Sequence, residues 1–447
     1  MSGAARAPVW FCALVLFFLL CYSEAKRVFK CPSGCTCTTE TIICVASSFI
    51  PRTVPADISS LSIVNGTFPE IKEAAFALMP SLHLLFIEGN KIDEISKHAF
   101  RGLRDVTHLS LANNNLKSLP KDFIPHQTIN TQSMSADVFS HKDDVYVALA
   151  VPNSDSCLIL EWDHIETHFR AFDNITGRSV IGCRSVLINE QALVIVAQLF
   201  NGSRVYRFDQ EQNQFTKFQT VEMLNVSKPN DIEVFRLGDD WFFLMVDSSK
   251  AGMSTLFKWN NTGFFPHQFL HEWFRDLDAE FLDLDGKPVL IMTSRSQAPV
   301  IYQWNKNTQT FVLFKDIPNV DDMVSVKAFR IERVVYLALA CYIGDSKVLK
   351  WTGKRFEEVQ SFPSRGAMVL QPFRFRDQHY LILSSDYSFS QIFRWDLDKQ
   401  MFIKFREVYV QWPRSFTAFS TPQRDFLLAT SFKGKTKVFE HVSVDYS

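Results

Sequence analysis

Glycine is scarce, at 16 of 447 residues, about half its usual share of roughly 7%. A protein built on glycine-rich phosphate loops is excluded on that ground. Neither sign of charge is in excess: 47 Lys and Arg face 48 Asp and Glu, with a pI near 6.8. That balance lacks the strongly basic footprint of an electrostatic nucleic-acid binder. Catalytic motifs are missing as well. There is no G-x-S-x-G and no P-loop, and His271-Glu272 has no second His at zincin spacing. Long apolar runs are absent except near the start. The run from Val9 to Cys21 is shorter than the roughly 20 residues a membrane span needs.

That early run reads as an address. Arg6 precedes it, and Ser23-Glu24-Ala25 follows with small residues where a signal peptidase requires them. Residues 1–25 are therefore expected to be a signal peptide, and the mature chain to be soluble and secreted. Nine cysteines are present, of which Cys12 and Cys21 would leave with the signal. Cys31, Cys35, Cys37 and Cys44 form one cluster without paired CxxC knuckles or an intervening His. In an oxidising compartment such a cluster reads as two disulfides rather than a zinc site. Cys157 and Cys183, the next two in sequence, form the third expected pair, and Cys341 is left over. Five Asn-x-Ser/Thr sequons begin at Asn65, Asn174, Asn201, Asn225 and Asn260, each a candidate for glycosylation in a secreted chain.

Two kinds of repeat follow. The first has a period of 24: Leu82-x-x-Leu85-x-Ile87-x-x-Asn90-x-Ile92 recurs as Val106-x-x-Leu109-x-Leu111-x-x-Asn114-x-Leu116. A weaker copy holds Leu61, Ile63 and Phe68, and Phe76 recurs as Phe100. This is the leucine-rich-repeat pattern, in which a short strand turns its apolar residues inward and the Asn bonds the turn. It occupies 58–124, behind a cysteine-rich cap at 26–57. No cysteine-bearing cap closes its other end, so either the array is shortened or the following domain covers it.

From about residue 130 short aromatic and β-branched runs alternate with polar turns, a strand texture without helical periodicity. An aromatic phrase recurs at Trp162, Phe208, Trp259, Trp304, Trp351, Trp395 and, degenerately, His441. Seven copies spaced by about 46 residues suit a closed seven-bladed β-propeller with four strands per blade. One unit reads as strands at Asp231–Leu237, Trp241–Val246, Thr255–Trp259 and Phe264–Phe269. The abundance of Phe, 42 residues, fits aromatic packing between blades. The fold class is thus mainly β: a short leucine-rich-repeat solenoid with a disulfide N-cap, then a propeller over 130–447.

In a propeller the B–C and D–A loops emerge on one face. Read in register they place Lys228, Arg275, Arg365 and Arg414 beside Leu199, Phe200, Lys250, Arg295, Tyr342, Tyr387, Phe432 and Lys433. Cations mixed with aromatics are the composition of a protein-binding surface. Asp231 and Asp278 lie 47 residues apart, one repeat, and should both point toward the central channel. They suit either a hard cation or simple neutralisation by Lys228 and Arg275. A propeller hydrolase with a metal in the channel is the rival reading.

The cap, the 24-residue repeats and the seven propeller repeats together resemble the secreted leucine-rich glioma-inactivated (epitempin) family. Leu109-Ser-Leu-Ala-Asn-Asn114, Phe172-Asp-Asn-Ile-Thr-Gly177, Val194-Ile-Val-Ala-Gln-Leu-Phe200 and Ser248-Ser-Lys-Ala-Gly252 carry the likeness, and the propeller copies resemble its EAR repeats. The resemblance implies a non-enzymatic neuronal ligand that binds catalytically inactive ADAM-family receptors and helps organise synapses. By local motif it assigns receptor contact to Ile181, Leu199, Val324, Met368 and Phe432, flanked by Lys228, Lys250, Arg275 and Arg365. It favours calcium at Asp231 and Asp278, and pairs Cys31 with Cys37 and Cys35 with Cys44. The chain departs from the family in having fewer leucine-rich repeats and no second cap, which puts self-assembly through that region in question. Ala340-Cys341-Tyr342 also differs from the family's wording.

Overall fold

The computed structural model describes residues 31–442, apart from 56, 97, 117–121, 221–225 and 295–296. The signal segment 1–25, Asn225 and Arg295 lie outside the described residues. The chain divides into two units, residues 1–117 and 118–447.

In the first unit, parallel strands Thr41–Val45, Ser60–Val64, Leu84–Glu88 and His108–Ser110 stack side by side, with Cys35–Cys37 antiparallel at one edge. The 24-residue period becomes register: Leu61 pairs with Leu85 and Leu85 with Leu109. Leu61, Ile63, Leu85 and Ile87 are fully buried, while Leu109 and Leu111 at the last repeat are only half-buried. The repeated Asn does what the pattern requires. Asn90 donates to the Ile63 carbonyl at 2.8 Å and accepts from Gly66 N at 2.6 Å, and Asn114 donates to Ile87 at 2.7 Å. Gly66 is there for space, since a Cβ would stand 2.4 Å from the Asn90 oxygen and 2.6 Å from the Ser47 carbonyl. Phe76 and Phe100 stack at 5.9 Å. Disulfides join Cys31 to Cys37 and Cys35 to Cys44 in the cap.

The second unit is seven four-stranded antiparallel sheets. Their innermost strands, A, are Ser135–His141, Val180–Ile188, Pro229–Leu237, Asp276–Leu284, Met323–Ile331, Leu370–Phe375 and Pro413–Ser420. Each lies beside the next, and the seventh beside the first, which closes the ring. Blade 3 shows the unit: Pro229–Leu237, Asp240–Asp247, Ser254–Trp259 and Phe264–Leu270, close to the four strands read from sequence. The B strands, such as Gln191–Gln198 and Asp425–Ser431, are apolar without alternation because neighbouring blades cover both of their faces. The core is correspondingly shared: Val186 and Ile195 of blade 2 pack with Phe243, Met245 and Phe257 of blade 3.

Each aromatic marker on strand C faces the first aromatic of strand D: Trp162 pairs with Phe169, Trp304 with Phe311, Trp395 with Phe402. Two residues before the marker every C–D pair carries a β-bulge, from Ile159/Leu160 in blade 1 to Val438/Phe439 in blade 7. A bulge bends the strand and increases local twist, so its recurrence gives all seven blades one shape.

The propeller begins earlier than the sequence reading placed it. Strand Asp122–Ile129, assigned there in part to the leucine-rich array, is the outermost strand of blade 7 and pairs with Thr436–Val442. Phe123 faces the degenerate marker His441. The seventh blade is therefore built from both ends of the unit. A glutamine ladder then ties it to its neighbour: Gln127 donates to the Phe169 carbonyl and accepts from Phe169 N, both at 2.8 Å. Gln219 does the same for Phe264, Gln268 for Phe311 and Gln360 for Phe402. Cys157 and Cys183 join blades 1 and 2. Cys341 is buried and unpaired in a disulfide; its Sγ contacts the Ile343 carbonyl at 3.2 Å, and burial pushes the thiol up, away from reactivity.

Candidate binding face and central channel

The A strands enclose a channel of 1090 Å³. In blades 2 to 5 the A–B pair carries a bulge at Val180/Gly182, Pro229/Asp231, Asp276/Asp278 and Met323/Ser325. Asp231 and Asp278 thus follow equivalent bulges, and both line the channel. Around them gather Asp137, Arg184, Glu233, Glu280 and Lys327.

The carboxylates are latches between blades. Asp137 accepts from Ser185 N at 2.6 Å, Glu233 from Phe281 N at 2.9 Å, Asp278 from Val326 N at 2.9 Å and Glu280 from Ala328 N at 2.9 Å. Each bond spans 48 residues, one blade to the next. Asp278 also accepts from Ser325 Oγ at 2.7 Å and from Lys327 Nζ at 2.9 Å, and Lys327 reaches Glu280 at 3.7 Å. Arg184 bonds Asp137 at 3.3 Å and the Ile232 carbonyl at 3.1 Å. The cations neutralising this cluster are therefore Lys327 and Arg184. Lys228 and Arg275, expected in that role, are exposed on the loops instead.

Electrostatics separate the two aspartates. Burial pushes Asp231 upward, but Lys327 and Arg184 outweigh it and hold the carboxyl below its ordinary range. Asp278 is raised to about 7, by burial first and then by the Asp231 charge, against the pull of Lys327. The charge on Asp231 thus disfavours ionisation of its neighbour Asp278. Glu233 lies well above its ordinary range through burial and the nearby Glu280. Burial disfavours the Lys327 charge, yet Asp278, Asp231 and the two glutamates reverse this and raise it.

Asp231 and Asp278 together offer hard carboxylate oxygens in the channel, donor chemistry that fits calcium. Among the described residues no three His, Cys, Asp or Glu side chains gather as a metal cluster. Calcium takes six to eight oxygens, and the two aspartates would have to be supplemented by backbone carbonyls or water.

At the channel's end the B–C and D–A loops form the face read from sequence. Phe432 is 40% exposed, and Lys228, Lys250, Arg275 and Arg365 are exposed. Leu199 is half-buried. Ile181 and Met368 are half-buried and line the channel. Val324, expected as a receptor contact, lines the channel but is buried beside Ala340 and Leu370, because it is the bulged residue at the start of strand Met323–Ile331 rather than a loop tip. The exposed apolar groups of this face are Phe200, Tyr387 and two that loop register missed, Trp273 and Ile343. Trp273 adopts φ +72°, and its sequence signal was the Trp273-Phe274-Arg275 run. Around Phe432 the cations stack on rings. Arg414 lies 5.3 Å from Phe432 and 5.6 Å from Trp412, and Lys433 lies 3.7 Å from Trp412. Asp386 fixes Arg414 at 2.8 Å, so this corner is pre-organised. His271 is sequestered: it is buried against Asp276, whose other oxygen accepts from the fully buried Ser254 at 2.5 Å.

A short leucine-rich solenoid joined to a closed seven-bladed propeller with an aromatic and cationic loop face defines a class of repeat protein. The EPTP domain model matches residues 122–163, 214–260, 263–305, 310–352, 355–396 and 401–442, and the leucine-rich-repeat model matches 57–116. Leucine-rich repeat LGI family member 2 of Homo sapiens is 49% identical over 522 aligned positions, covering 95% of both chains. Its Mus musculus counterpart is 47% identical, covering 95% of this chain and 96% of its own. Leucine-rich glioma-inactivated protein 1 of Bos taurus is 42% identical, covering 97% and 96%. The chain belongs to the LGI family. The 522 aligned positions exceed the 447 residues here, so that relative carries stretches with no counterpart in this chain. Among solved structures, Sqt1 of Saccharomyces cerevisiae aligns with TM-score 0.50 and 10% identity over 72% of this chain and 98% of its own, a likeness of fold alone.

Proposed function

We propose that this protein is a secreted glycoprotein that binds the ectodomains of catalytically inactive ADAM-family receptors at synapses through the propeller's B–C and D–A face. The observation that carries the reading is the cluster of Phe432, Trp412, Arg414 and Lys433 on the face that also exposes Phe200, Tyr387 and Trp273. Aromatic and Arg side chains dominate interface hot spots, and family membership supplies the partner class. Among the described residues no helix is long and apolar enough to cross a membrane. Asn65, Asn174, Asn201 and Asn260 are exposed, as glycan acceptors must be. The rival hydrolase reading is weakened by Asp278, whose carboxylate is committed to Ser325, Val326 and Lys327 of the next blade.

Binding of neuronal ADAM ectodomains by secreted variants tests the reading. Phe432→Ala should weaken binding by about 2 kcal/mol, roughly 30-fold. Arg365→Gln should weaken it less and in a salt-dependent way, as a rim charge does. Near-wild-type binding by Phe432→Ala would move the interface elsewhere.

Calcium held by Asp231 and Asp278 would brace the A strands of blades 3 and 4. At one hundred times its Kd it should stabilise the fold by about 2.7 kcal/mol, raising Tm by about 5 °C. Binding requires Asp278 to lose its proton, so the rise should be larger at pH 8 than at pH 5.5. Asp278→Asn should abolish it, and melting curves that ignore chelator at both pH values refute the site.

A further inference from the structure

On the propeller face opposite the loops just described, the C–D turn of blade 3 carries the sequon Asn260-Asn261-Thr262. Asn260 Oδ1 accepts from Thr262 N at 3.0 Å and from Thr262 Oγ1 at 2.7 Å, while Asn260 N donates to the Gly263 carbonyl at 3.0 Å. The turn thus uses the amide oxygen and leaves Nδ2, the atom a glycan needs, out of its bonding. Asn260 also lines a cavity of 400 Å³, within the range of small-ligand sites. Its other walls include Trp241, Trp259, Phe265, Lys258 and Asp240. Phe265 is 46% exposed, an expensive way to leave a large ring unless something covers it. The Trp259 Nε1 is buried without a hydrogen-bond partner. Lys258 and Asp240 pair at 2.8 Å on the cavity wall.

A sugar ring has an apolar C–H face and a polar rim, which is the chemistry of this cavity: aromatic faces beside an ion pair. We infer that the first N-acetylglucosamine of a glycan on Asn260 seats here, its apolar face on the aromatic wall and its polar groups toward Lys258 and Asp240. Attachment replaces one Nδ2 hydrogen by C1 of the sugar, and the donor's lipid pyrophosphate departs with that proton. The other sequons become solubilising decorations; this one becomes part of the blade. The inference rests on the reading of the chain as a secreted glycoprotein and is independent of receptor binding, since the opposite face carries that role.

The test uses the full secreted chain. Mass spectrometry should find Asn260 occupied. Trimming with an endoglycosidase to one sugar per site should leave Tm unchanged, because the seated unit remains. Thr262→Ala, which removes the glycan, should lower Tm by about 2–4 °C, and Thr262→Ser, which keeps the sequon, should restore it. Phe265→Ser should lower Tm in the glycosylated protein, and the double variant should lose no more than Thr262→Ala alone, since the ring and the sugar act as one unit. Additive losses, a melting loss on trimming to one sugar, or an unoccupied Asn260 would each overturn the inference. Receptor binding should be unchanged in every variant, which separates this outcome from a failure of the receptor reading.

Discussion

Lys327→Met should destabilise the propeller by about 3–5 kcal/mol, the cost of leaving buried charges without their partner. Lys327 is the only group that touches both Asp278 and Glu280 among the described ion pairs, and its charge also acts on Asp231 and Glu233. The loss should depend on pH. In the wild type Asp278 keeps its proton in the folded state from its ordinary 3.8 up to about 7. The folded state therefore binds more protons than the unfolded state over that window, and this group lowers stability as pH rises through it. Removing Lys327 takes away the charge that opposes this rise, so more of the cluster stays protonated to higher pH. The variant should thus be closest to wild type near pH 5 and furthest from it near pH 8. Urea unfolding at both pH values measures the difference, and a pH-independent loss would mean that Lys327 acts through packing instead.

Phe123→Ala should cost a further class of stability, about 3–5 kcal/mol for a large buried aromatic. Phe123 is 6% exposed and sits among Phe373, Phe375, Tyr380, Phe405 and His441 at ring distances of 4.9–6.5 Å. It belongs to the core shared by blades 6 and 7. Total stabilities are typically about 5–15 kcal/mol, so the variant should be poorly secreted. Phe49→Ala, at a ring 50% exposed in the other unit, should be secreted normally. Equal secretion of the two would mean that the outer strand of blade 7 is dispensable.

The repeats were legible because register and burial share one cause. A position that packs the same way in each blade keeps a large ring there, so the six markers from Trp162 to Trp395, with the degenerate His441, announced seven units. The strand that closes the ring was readable too, and was missed. Phe123-x3-Gln127 has the spacing of Phe264-x3-Gln268 and Phe356-x3-Gln360, whose glutamines bond the next blade. It went unread because it precedes the first marker, where a repeat count begins with strand A. The channel was half legible. Asp231 and Asp278 shared a repeat position, but their partners did not: Lys327 lies in strand A of blade 5, and only the bulge before Ser325 turns that stretch toward Asp278. The burial of Val324 has the same origin. A bulge inserts one residue and re-aims the chain, which periodicity alone does not record.

Closure by the Asp122–Ile129 strand also sets a timetable. Thr131 accepts from Thr436 Oγ1 at 3.0 Å across 305 residues of chain. At about 5–20 residues per second, the first strand of the ring to leave the ribosome waits roughly 15–60 s for its partner. Through that interval the Phe123 face and the edge it will cover are both unsatisfied, and edges in that state pair with whatever strand arrives. A frameshift in the last blade therefore does more than delete one blade. It leaves an early strand permanently without its partner, and a neighbouring chain becomes its nearest substitute.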